Sequence, residues 1–319
     1  DIVADTIADL LTLTETNGLT ISTTAATDTI DFAFSGGLDN LSDAKFEGAN
    51  FTGSLKIGST TTGTLNNALS NTIVGKDAGN SITTHDYGTW IGSNAGKNIT
   101  TGEHNTANGA YALSQTVMGT YGGNASGNTV IGSFAGQDAA ATGGFNNNVL
   151  IGRQAGIYLR SPNTDENVAI GASAMYYGDG NSGTGRRYNT FVGYYAGSGA
   201  SGANGNYNTG VGHKVGDALT IGNTNTFVGA SAGELVTEGS VNTFLGYTAG
   251  DSVTTGNDNI IIGDYSGSPA MTGEIHLFVD GGQRGLSITS TGGSLSEGGS
   301  ADTIATLTAT QTLTNKTIN

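Results

Sequence analysis

The chain has 319 residues, of which 54 are glycine, two are proline, none is cysteine and only 12% are charged. A net charge of −15 and a pI near 4.3 argue against binding a nucleic-acid backbone, an affinity that rests on Lys and Arg. Without cysteine there is no disulfide framework or thiolate metal site, and no apolar run of about 18 residues offers a membrane span, so neither nucleic acid nor membrane insertion is expected.

The glycines follow no Gly-X-Y period, which excludes collagen. Apolar residues recur at fixed offsets from them, unlike a low-complexity linker, and the abundance of Thr, Val, Ile and Tyr suits pleated strands. Over residues 1–70 we expect a β-rich connecting or capping region. Ile2, Val3, Ile7, Leu10 and Leu11 share one helical face, so a short helix there is one reading. The alternation in Leu11–Ile21 around Asn17-Gly18 predicts a hairpin, Thr29–Phe34 a strand, and Phe46–Ile57 a group of short strands.

From 71 to 267 one pattern returns: Asn-Thr, two apolar residues, Gly, two variable residues, Ala-Gly, as in Asn242–Gly250. Numbered from its Asn, the fifth position is Gly at 75, 92, 109, 132, 152, 171, 193, 212, 229, 246 and 263, eleven units in one register. The intervals are 17, 17, 23, 20, 19, 22, 19, 17, 17 and 17, so a 17-residue period is set at both ends and lengthened in the middle. Such a period predicts an all-β fold, a β-solenoid or β-roll of stacked coils, each of two short strands and two turns. Position 1 (among others Asn225, Asn242, Asn259) is expected to form an asparagine ladder, and position 5 (Gly229, Gly246, Gly263) a corner. Ala recurs at position 8, where the opposing wall must be close. The aliphatic residues at position 4 are expected to face the interior, and those at position 3 the opposite side, as candidates for contact between subunits. Asn108 interrupts the position 4 column just before the longest interval, so a local break over 108–127 is expected, with Val117-Met118 supplying the missing apolar contact. A roll this thin buries little alone, which predicts self-association.

Residues 268–319 are read as a closing hairpin, Glu274–Val279 with Leu286–Thr289, followed by an extended Thr/Leu-rich tail. Ala301–Ala305 repeats the sequence of Ala4–Ala8, and end-to-end contact with further copies or fibre modules is expected from these termini.

The repeat, together with Thr100-Thr-Gly102 and Thr254-Thr-Gly256, resembles repeats of bacteriophage tail fibres and related fibrous virion proteins, and the Leu307–Ile318 tail looks like a segment of phage structural proteins. Asn167-Val-Ala-Ile-Gly171 also resembles the head repeats of trimeric autotransporter adhesins. These resemblances imply a homotrimeric structural shaft in a virion that supports host attachment. The alternative they leave is a bacterial extracellular adhesin or filament subunit.

A polysaccharide-degrading spike is a second alternative, with Asp165, Glu166 and Asp179 the only plausible paired carboxylates; the reading adopted is no enzyme, no cofactor and no metal. His85, His104, His213 and His276 lack metal-ligand spacing, although His276 could meet its copies on a trimer axis. Asp179–Asn181 and Gly256–Asn259 offer oxygen ligands but read more simply as turns. For recognition of a host-surface glycan the candidates are Tyr176, Tyr177, Arg186, Arg187 and Tyr188, near Tyr194, Tyr195 and Tyr207, with long turns between subunits as the plainer reading.

Overall fold

The computed structural model describes residues 19–24, 29–34, 44–46, 49–58, 62–114, 125–138, 144–160, 164–177, 185–199, 204–279, 284–290, 292–297 and 300–304. Among them every regular element is a strand, and the repeats wind into a β-solenoid. The expected helix over 2–11, the Asn17-Gly18 turn and the tail beyond Ile304 lie outside the described residues. Strand β1 (Leu19–Thr24) does form a hairpin, but with β2 (Thr29–Phe34), in register Leu19↔Phe34.

The solenoid begins one coil earlier than the repeat pattern. Strand β3 (Ala44–Phe46) pairs antiparallel with β4 (Leu55–Ile57), and β4 pairs in parallel with β5 (Thr72–Val74). Ser54 thus occupies the asparagine position of a coil numbered zero. The stack continues in parallel through β6 (Thr89–Ile91), β7 (Thr106–Asn108), β9 (Thr129–Ile131), β11 (Val149–Ile151) and β12 (Val168–Ile170). It runs on through β13 (Thr190–Val192), β14 (Thr209–Val211), β15 (Thr226–Val228), β16 (Thr243–Leu245) and β17 (Ile260–Gly263) to β18 (Ile275–Val279). Strand β18 is also the first strand of an antiparallel meander with β19 (Arg284–Thr289), β20 (Gly292–Glu297) and β21 (Ser300–Ile304), so the expected closing hairpin is present and extended. Among the described residues the coils carry a second short strand at β8 (Ala125–Ser126) and β10 (Phe145–Asn146), which pair in parallel just before the asparagine position. Most coils therefore have one three-residue strand rather than two, the rest being turn held by bonds to neighbouring coils.

The expected burial of positions 3 and 4 is reversed. Position 3 is fully buried, as in Ile73, Trp90, Leu150, Phe191, Phe227 and Phe244, whereas position 4 faces out, with Ile91, Ile131, Val211, Leu245 and Ile262 exposed. The reason is strand parity: positions 1 and 3 lie on one face, and the asparagines at position 1 are buried. Asn108 is consequently an outward residue. Its strand stays in register with Ile91 and Ile131, so no break occurs at Asn108 itself, while residues 115–124 of the expected break lie outside the described residues. Val117 and Met118 lie outside the described residues; the buried apolar side chain of this coil is Leu113.

The core is closed by Ala at position 8, as expected, and by an aliphatic column at position 12 (Ile82, Ile99, Leu159, Leu219, Val236, Val253). Volumes are matched inside each coil. Position 9 is Gly opposite a large position 3, because a Cβ on Gly96, Gly197 or Gly250 would overlap Trp90, Phe191 or Phe244. Where position 3 is only Ala107 or Ala169, position 9 is Leu113 or Met175, both buried although their φ is 49°. Where position 3 is Gly210, position 8 is Val215 and the Phe191 ring fills the gap. Constant filling at near-crystalline density is what lets successive coils keep one cross-section.

Candidate functional site

Two hydrogen-bond ladders make the stack rigid. In the first, Asn225 donates from its backbone N and from Nδ2 to Oδ1 of Asn208, at 2.9 and 3.0 Å, and from Nδ2 to the carbonyl of Gly239, at position 15, at 2.8 Å. Asn242 and Asn259 repeat this geometry, and the column ends where Glu274 N donates to Asn259 Oδ1. At its other end Asn71 N donates to Ser54 Oγ. In the second ladder, at position 16, the acceptor is in the following coil: Asn146 N donates to Asp165 Oδ1, Arg187 N to Asn206 Oδ1, Asn206 N to Asn223 Oδ1 and Ser240 N to Asn257 Oδ1. The two ladders run in opposite senses. Glycine at position 5 lets coils touch: Gly229, Gly246 and Gly263 have φ of 134°, 142° and 112°, and a side chain on Gly229 or Gly246 would overlap the next glycine's carbonyl.

Against this scaffold two surfaces stand out. The first is the outward face of the parallel sheet, made of positions 2 and 4 from Leu55 and Ile57 to Ile275 and Leu277. It carries Thr, Val, Ile and Leu with Asn108 as its one amide, and no charged residue. At about 4.8 Å per coil it extends for on the order of 55–60 Å. At its C-terminal end it opens into a depression of ≈ 590 Å³ lined by Ile262, Leu277, Phe278, Val279 and Arg284. Parallel sheets are ordinarily covered on both faces.

The second surface lies along one edge. Tyr177, Tyr158, Tyr176, Tyr195, Tyr194 and His213 form a continuous series of ring contacts at 4.5–6.5 Å across four coils. The Arg160 guanidinium lies 4.6 Å from the Tyr158 ring centroid and is paired with Asp138 at 2.8 Å. Burial among the neighbouring tyrosines holds the Tyr176 phenol above its ordinary range. At the other corner Tyr188 stacks on Tyr207 at 4.8 Å, and the Glu166 carboxylate raises the Tyr188 pKa.

The structure sorts the residues read as recognition candidates. Tyr177 and Tyr188 are exposed, Tyr176 and Arg187 half-buried, but Arg186 is fully buried and cannot touch a surface ligand. Its Nη1 donates to the carbonyls of Tyr177 and Gly197, filling at position 15 the place that Gly205, Gly222, Gly239 and Gly256 take in the four coils that follow. Residues 178–184, including Asp179, lie outside the described residues. Asp165 is a ladder acceptor, 3.9 Å from Arg187, and Glu166 neighbours Tyr188, so their carboxylates serve packing contacts. His276 is buried at position 3, between Glu274 (2.8 Å) and Ser287 (3.1 Å), and so faces the coil interior rather than a subunit axis. Asn257 and Asn259 are likewise taken up in the two ladders.

Sequence reasoning missed the position 12 and position 16 columns. Both were available as recurrences at fixed offsets, Val/Ile/Leu eleven residues after the Asn and Asn/Asp/Ser two residues before it. No protein-family model, curated protein or solved structure matches the chain.

Proposed function

We propose that the chain is a structural shaft whose copies associate side by side through the outward sheet face, as a homotrimer, within a phage fibre or appendage that supports host attachment. The observation carrying this reading is the uncharged face itself. A chain with 26 acidic and 11 basic residues keeps every one of them off a face that runs the length of the solenoid. An exposed apolar surface of that extent marks an interaction site, and a face with a one-coil repeat is best matched by another with the same repeat. The resemblance of the Asn-Thr-x-x-Gly-x-x-Ala-Gly units to phage fibre repeats supports the virion setting.

Sedimentation equilibrium of the purified chain tests it. The expected species is a trimer, and Val211→Lys with Leu245→Lys should give a monomer with unchanged β circular dichroism, since both side chains point outward. A wild-type chain that sediments as a folded monomer at micromolar concentration defeats the proposal. Antibody labelling of phage particles then decides the virion setting separately.

A further inference from the structure

The outward face offers a partner copy little to align on. From coil zero (Leu55, Ile57) to coil twelve (Ile275, Leu277), every residue at positions 2 and 4 is Thr, Val, Ile or Leu, except Asn108. An apolar contact rewards area removed from water, and two such faces cover each other over their whole length whether the copies run parallel or end for end. Area therefore does not choose between the two arrangements.

Asn108 can choose, because it lies off centre. It stands in coil three, whereas the middle of the face is coil six (Val168, Ile170). It is exposed and in register between Ile91 and Ile131, and its amide makes no hydrogen bond among the described residues. A copy turned end for end about an axis across the face sets like columns opposite one another, coil three against coil nine. Asn108 then lies on Val228, which has neither donor nor acceptor in its side chain. The pair would bury two amides without partners, each disfavouring the arrangement about tenfold or more. In a parallel trimer the three Asn108 side chains stand at one height, and each amide can donate to the oxygen of the next around the axis.

Resting on the reading of this face as the contact between copies, we infer that Asn108 sets the direction of that contact. Position 4 lines the trimer axis, the three amides close a hydrogen-bonded ring there, and end-for-end pairing is excluded. One polar side chain in an otherwise apolar contact can fix register and copy number at some loss of stability.

The chain has no cysteine, so Ser70→Cys provides a single attachment point for a spin label, exposed beside coil one. Parallel copies hold their labels at one height, whereas end-for-end copies separate them by ten coils, about 50 Å along the axis. Double electron–electron resonance on the full labelled chain is expected to give the short separation alone. Adding Asn108→Val should raise the long-separation population about tenfold or more. Asn108→Val with Ile170→Asn moves the amide to the middle coil, where it meets itself in either direction, so the same rise is expected with the number of amides unchanged. A trimer whose labels stay close in either variant overturns the inference and leaves side-by-side association standing. A long separation in the parent chain overturns it as well, and a parent that sediments as a folded monomer defeats both proposals.

Discussion

The Asn105 side chain donates from Nδ2 to Nε2 of His85 at 2.8 Å, and the histidine thereby replaces the one asparagine missing from the ladder. Position 1 of that coil is Gly88, whose N donates to Asn71 Oδ1, and His85 Nδ1 lies 3.3 Å from the same oxygen. With Nε2 accepting, the proton sits on Nδ1 and the ring is neutral.

Burial, reinforced by the neighbouring His104, lowers the His85 pKa from 6.5 to about 4. Between those values the unfolded chain binds the extra proton, so stability falls as pH drops through 6.5 and levels off below about 4. The loss is about 3 kcal/mol over the window. Gly88→Asn alone should destabilise, because a Cβ there would lie 2.8 Å from His85 Cε1. His85→Gly with Gly88→Asn recreates the regular coil and should flatten this part of the pH profile. Urea midpoints at pH 7 and pH 5 for the three proteins check the assignment.

Core volume should be exchangeable between positions 3 and 9. Phe244→Ala removes a buried ring stacked on Phe227 at 5.3 Å and should cost about 3–5 kcal/mol. Gly250→Leu alone should cost about 1–3 kcal/mol through overlap with Phe244. Combined, they reproduce the Ala107–Leu113 arrangement, so the double variant should be more stable than the sum of the singles by at least about 1 kcal/mol. Strict additivity in a double-mutant cycle would show that the two positions do not share one space.

Asn225→Ala should be more damaging than its small size suggests. It deprives Asn242 of the acceptor for both its backbone N and Nδ2, and the Gly239 carbonyl of its donor. At about 1–3 kcal/mol for each buried polar group left unmatched, a loss of at least about 3 kcal/mol is expected by urea denaturation.

Asn108→Val should be neutral or stabilising, for a different reason than an aliphatic interior column would give. The side chain points out in a strand that is already in register, and valine completes the outward apolar column. A drop of several kcal/mol would mean that the amide makes a bond essential to the assembled face.

Val241 is a β-branched residue at φ 60°, just before Asn242 and exposed. The left-handed conformation costs such a residue about 1–2 kcal/mol, so Val241→Gly should raise the melting temperature despite glycine's greater freedom when unfolded. An unchanged or lower melting temperature would show that the valine side chain contributes packing that offsets the strain.

Much of this architecture is legible in the residues. The 17-residue recurrence, the asparagine ladder, the corner glycines and the alanine wall each follow from one side chain at one offset. The inside and outside of the sheet were harder to tell, because Phe244 and Leu245 are both apolar and periodicity alone does not rank them. Parity with buried Asn242 decides it, once the ladder is placed within the coil. The roles of His85 and Arg186 were not readable, since each enters a column kept by other residues elsewhere, and which ring nitrogen or guanidinium arm meets a carbonyl depends on coordinates. The tyrosine edge was half visible: Tyr176 and Tyr177 were singled out, but Tyr158 joins them only through the stacking of coils.

Every rung of the two ladders joins residues no more than 23 apart in the chain, although β4 to β18 form a wholly parallel sheet. Parallel sheets usually fold slowly because distant segments must find each other before any bond forms. Here each new coil needs only the one before it as a template, so the slow step is making the first pair, and growth can then proceed as fast as the chain is supplied. Pulled from one end, the same shaft should yield in steps of one coil, with the chain released at each step set by the local interval and therefore longest among the five lengthened coils.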